Sequence, residues 1–117
     1  MKTLSTGATR WMALCALAML TACAHGPQSI YQWGSYQDQV YSHFKGESPE
    51  GQIQALEKDI QVARAANRPI PPGLHAHLAM LYAETGNASK ARESLLAEKT
   101  SYPESTAYMD LLLKRYE

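Results

Sequence analysis

Residues 73–103, GLHAHLAMLYAETGNASKARESLLAEKTSYP, decide the fold. Leu74, Leu78, Leu81 and Tyr82 recur at steps that place side chains on one face of an α-helix. Gly86-Asn87 then supplies a turn, because both residues tolerate a left-handed backbone. A second face follows in Ala88, Ala91, Leu95 and Leu96, and Pro103 prevents further helix. Ala79 and Ala91 are small enough for the two helices to approach closely, with Leu78, Tyr82 and Leu95 filling the gap. The stretch predicts an antiparallel helix-turn-helix.

Working upstream, Asn67 to Gly73 holds Pro69, Pro71 and Pro72 and reads as a stiff connector, with Asn67 suited to a left-handed helix end. Before it, Ser48-Pro49 offers an N-cap and a first-turn proline. Ile53, Leu56, Ile60 and Ala63 form the apolar face of that helix. Glu57, Lys58, Gln61 and Arg64 are expected on its solvated side. Further upstream, YQWGSYQDQVYSHFK (31–45) predicts a helix from about Tyr36 to Lys45, ended by Gly46. There Ser35 and Asp38 resemble a capping box, and Trp33, Tyr36, Val40 and Phe44 make a stripe of the kind that usually enters a core. Downstream, Ser105 to Tyr116 predicts a last helix with Tyr108, Leu111, Leu112 and Tyr116 on one face, capping the array. The expected fold is all-α: about five helices, with a predicted core that includes Leu56, Ile60, Leu78, Tyr82, Leu95 and Leu112.

The spacing of Leu78, Ala79, Tyr82, Gly86, Ala91, Leu95 and Pro103 resembles a tetratricopeptide repeat. Two positions depart from that pattern: its first aromatic falls on His75, and a late small residue falls on Glu98, which implies looser packing against the next helix. Shifting the pattern upstream finds no strict second repeat. In such pairs the concave face comes from first-helix positions not used for packing, here Ala76, Met80, Ala83 and Glu84, a shallow apolar trough for a partner helix. Trp33, Tyr36 and Tyr41 are a second candidate protein-binding surface.

At the N-terminus, Lys2 and Arg10 precede a ten-residue apolar run, Trp11 to Leu20, too short to span a bilayer. Leu20-Thr21-Ala22-Cys23 resembles the lipobox of bacterial lipoproteins, so residues 1–22 are expected to be a signal peptide, Cys23 the acylated mature N-terminus, 23–30 a tether and 31–117 the helical domain. Two or three attached acyl chains, such as palmitate, would hold the protein firmly, since one chain alone binds only marginally. Ala24 stands where an inner-membrane retention signal would carry Asp, which implies the outer membrane, facing the periplasm. Cys15 leaves with the signal, so no disulfide is expected.

YQWGSYQDQVYSHFK, IPPGLHAHLAMLYAETGNASKARE, SYPES and MDLLLKR together resemble a family of small bacterial lipoproteins of unknown function. That resemblance implies an accessory role beside a curli-export-like lipoprotein in the envelope.

Charge narrows the classes further. The chain has 11 basic and 11 acidic residues, and losing Lys2 and Arg10 leaves a slightly acidic mature part with no footprint for nucleic acid. His75 and His77 are two apart and face different sides of a helix, unlike the four-residue spacing of helical metal ligands. The acidic residues, Glu57, Asp59 and Glu98 among them, are interspersed with bases and read as solvated. The mature part has no nucleophile elbow or phosphate loop. No enzyme, cofactor or metal is expected. The reading left is a protein-binding adaptor or accessory factor in an envelope assembly or export complex, with a purely structural subunit of an outer-membrane lipoprotein complex as the alternative and an enzyme as a remote one.

Overall fold

The computed structural model describes residues 28–117, together with Gly7, Arg10, Trp11 and Gly26. Leu20 to Ala24, and with them the expected acylation site Cys23, lie outside the described residues. Within residues 28–117 five α-helices follow one another: α1 Tyr36–Phe44, α2 Pro49–Ala65, α3 Leu74–Glu84, α4 Ala88–Ser101 and α5 Thr106–Leu113. Short 3₁₀ turns, Pro103–Ser105 and Lys114–Tyr116, flank α5. Among the described residues there is no strand, so the domain is all-α.

The breaks fall where backbone chemistry requires them. Asn67 adopts φ 50 after α2, and Gly86 adopts φ 75 between α3 and α4. Asn87 caps α4, its side-chain oxygen accepting the Lys90 N–H at 3.1 Å. The start of α1 differs from expectation. Ser35 makes no capping bond within its own helix; its N–H and hydroxyl both donate to Asp59 Oδ2 of α2 at 2.7 Å. A tertiary carboxylate thus replaces the local cap, and Asp59 is not merely a solvated residue. Gly34, at φ 51, makes room for it, since a Cβ there would lie 2.4 Å from the Asp59 carboxyl group.

The helices enclose two contiguous clusters. Leu56 and Ile60 of α2 meet Leu74, Leu78, Leu81 and Tyr82 of α3 and Ala91 of α4, with Tyr36, Ile53 and Ile70 packed around them. Ala79, Leu95 and Met109 form the second cluster, joining α3, α4 and α5, with Ala76, Leu112, Leu113 and Tyr116 at its margin. A Lys99–Asp110 ion pair of 2.6 Å ties α4 to α5.

Three predicted faces are rotated. On α4 the buried set is Ala91, Ser94, Leu95 and Glu98, at steps of three, one and three; Ala88 and Leu96 lie outside. Apolarity alone selects the wrong neighbours on a helix whose buried face is small and polar. On α5 Met109 is buried and Leu112, Leu113 and Tyr116 are half-buried, whereas Tyr108 and Leu111 are exposed. On α1 no residue is fully buried, and Phe44 is 82% exposed. Helix α1 packs against α2 and α3 on its inner side, and among the described residues no second layer covers its outer aromatics.

Candidate functional site

Helix α3 organises the site because it has neighbours on both sides and an apolar sequence. Its Leu74, Leu78, Leu81 and Tyr82 turn into the first cluster and Ala79 into the second. What remains outward is Met80, 37% exposed, with Ala83 and Glu84. The fourth trough residue, Ala76, is only half-exposed. It packs at the margin of the Ala79–Leu95–Met109 cluster, so α5 narrows that end of the surface.

The aromatic segment adjoins this face. His43 of α1 lies 3.9 Å from the Glu84 carboxylate and 5.5 Å, ring to ring, from His77. Phe44 contacts His43 edge-on at 6.1 Å, so an exposed aromatic is continuous with the Glu84 edge of α3. Tyr41, 65% exposed, carries the Lys45 ammonium 5.3 Å from its ring centroid. Trp33 and Tyr36 stack at 6.3 Å, and Tyr36 then meets His77. The three candidate aromatics therefore divide: Tyr36 packs on the core, Trp33 is part of an aromatic cluster with Tyr31, and Tyr41 faces solvent. Phe44 and His43 complete the surface. The sequence stripe placed Phe44 in a core, and nothing in a single sequence reveals that α1 is an outer helix.

His75 and His77 have different surroundings: His77 meets Tyr36 and His43, whereas His75 lines a cleft together with Arg64 of α2. Among the described residues, no three His, Cys, Asp or Glu side chains gather closely enough to hold a metal ion. Burial first, and then the charge of His43, hold His77 below the ordinary imidazole range, and its Nε2 is buried without a partner. A base with a lowered folded pKa binds fewer protons folded than unfolded. Its contribution to stability is complete above the ordinary imidazole pKa and is lost as pH falls toward the folded value. Thermal unfolding midpoints are therefore expected to drop between about pH 7 and pH 5. His75 is lowered in the same direction and contributes to the same slope, so His77→Phe should reduce the slope in part, and an unchanged slope would remove His77 as one of its sources.

Sequence reasoning also missed Glu98 and Gln52, both buried. Glu98 Oε1 accepts the Gly73 N–H at 2.7 Å at the start of α3. Gln52 Nε2 donates to the Glu47 carbonyl at 2.9 Å. The available signal for Glu98 was its position: it stands where a small, helix-contacting residue belongs in a close helix pair.

The fold and this surface define a small all-α domain with an open, partly aromatic face beside its central helix. Residues 30–112 match the family described as Domain of unknown function (DUF4810), and the chain belongs to that family. No curated protein and no solved structure gives a significant match.

Proposed function

We propose that the protein is a lipid-anchored, non-catalytic adaptor of the outer membrane that holds another envelope protein in the periplasm. The observation that carries this reading is the exposed run of Met80, Ala83 and Glu84 on α3, bordered by His43 and Phe44 of α1. A flexible Met among small residues and exposed aromatics suits an amphipathic partner helix. Glu84 would supply a polar contact at the edge.

The tetratricopeptide-like reading has support from the chain downstream as well. Met109, Leu112, Leu113 and Tyr116 stand about 34 residues after His75, Leu78, Ala79 and Tyr82, the period of that repeat. Leu20 to Cys23 supports the anchor, and no helix among the described residues is long and apolar enough to cross a membrane. The family resemblance makes a curli-export-like lipoprotein the first partner to test.

Met80→Arg tests the surface. Because the position is partly exposed, stability should change by no more than about 0.5 kcal/mol. Recovery of the crosslinked envelope partner should fall about tenfold, which corresponds to roughly 1.4 kcal/mol of binding. Unchanged recovery, with helicity intact, would remove the trough from consideration. The anchor is tested separately. Cys23→Ser should abolish incorporation of labelled palmitate, and a mature protein with an unmodified Cys23 would defeat that part of the proposal.

A further inference from the structure

On another side of α3 the structure holds a cleft that the adaptor reading does not use. Helices α2 and α4 flank α3 there, leaving a groove of about 440 Å³ floored by Ile60, Leu78 and Ala97. A second lobe of about 530 Å³ continues over Ala63 and Ile70 toward Tyr31 and Tyr102. Both lobes share Ile60, Arg64 and His75. Arg64 and His75 therefore border both lobes, together with Ile60.

The charges of this cleft are unequally satisfied. Lys90 pairs with Glu57 at 2.9 Å, and the Tyr82 hydroxyl donates to the same carboxylate. That triad is internally neutralised and holds Glu57 below the usual carboxyl range, through Tyr82 first and Lys90 second. Arg68 is also occupied: it donates to Gln32 Oε1 at 3.0 Å and to the Ser29 and Tyr31 carbonyls at 2.6 and 3.2 Å. The Arg64 side chain, by contrast, has no hydrogen bond or ion pair among the described residues. Its charge, after burial, holds His75 below the ordinary imidazole range. Glu93 is an unpaired carboxylate in the lining of the first lobe, whereas the second lobe, which Arg64 and His75 also line, has no carboxylate among its lining residues.

We infer that this cleft is a binding site for a small organic anion with a short apolar body, its head between Arg64 and His75 and its body on Ile60 and Leu78. A guanidinium without a partner provides charge-assisted donors for a carboxylate or phosphate head. A cleft of this size, in which apolar side chains such as Ile60, Leu78 and Ala97 lie among polar ones, has the dimensions of small-ligand sites. The site does not depend on the adaptor reading, since Met80 is on a different face of α3.

The test follows the His75 ring protons of the full chain by NMR while hexanoate is added. Bound anion offsets the Arg64 charge, so the His75 titration midpoint should rise, and resonances of Ile60 and Leu78 should shift with it. Arg64→Met should weaken hexanoate about tenfold, the loss of one charge-assisted hydrogen bond. Met80→Arg should leave hexanoate binding unchanged. Arg64 is exposed, so its variant is expected to retain the helical spectrum of the parent. The inference is overturned if hexanoate moves neither the His75 midpoint nor the floor resonances, or if Arg64→Met binds it equally well. Equal binding of hexylamine would contradict the anionic head, and equal binding of inorganic phosphate would contradict the apolar body.

Discussion

Leu56→Ala is expected to lower the unfolding free energy by about 2–5 kcal/mol, the range for truncating a buried leucine. Leu56 is 0% exposed and is the α2 side chain most deeply set among Leu74, Leu78, Leu81 and Tyr82 of α3. Its loss removes apolar contact and leaves a void between two helices whose own backbone bonds prevent full collapse. Small domains have only about 5–15 kcal/mol in total, so the variant could forfeit a large share of its stability. Leu96→Ala supplies the comparison. Leu96 is 37% exposed on the outer side of α4, and its truncation should cost within about 0.5 kcal/mol. Urea unfolding followed by circular dichroism measures both. Equal losses would mean that the α4 face has been assigned in the wrong rotation.

A second large effect is expected at Glu98, where two contributions oppose each other. The side chain is 3% exposed, and its Oε2 has no partner, which costs desolvation free energy. Its Oε1 accepts the Gly73 N–H at the left-handed entry to α3, where a carboxylate also opposes the positive end of the helix dipole. Glu98→Ala relieves the first and forfeits the second, leaving a backbone donor without its acceptor. The lost bond should prevail, because hydrogen bonds to charged groups contribute about 1.5–3 kcal/mol and an orphaned donor adds its own penalty. Glu98→Gln retains the acceptor oxygen and should cost less. There is an independent readout in Tyr36, whose phenol is raised above its usual pKa by burial first and then by Glu98. In Glu98→Ala that midpoint should move back down. A variant as stable as the parent, with Tyr36 unmoved, would show that the contact contributes nothing.

The helix ends were legible in the sequence because they depend on local backbone chemistry. Pro49, Asn67, Gly86, Asn87 and Pro103 act within a few residues of themselves, and each marks a boundary that the structure also has. The same holds for the central pair, where Leu78, Tyr82, Ala91 and Leu95 report their own buried face through apolarity at helical spacing. Membership of an all-α class followed from those two kinds of signal. Which aromatics face solvent did not, since Tyr36 and Phe44 share one stripe but only Tyr36 packs on the core. Nor did the roles of Asp59 and Glu98. Each is a carboxylate that interspersed charge assigns to solvent, and each accepts a backbone N–H from a segment 24 or 25 residues away. The cleft is a tertiary property as well, because Arg64 and His75 belong to different helices and converge only when the connector folds α2 back on α3. Local periodicity determined the helices and their inward apolar residues. Long-range packing decided the rest, because burial of a polar or aromatic side chain depends on which segment arrives opposite it, and a one-dimensional pattern does not encode that partner.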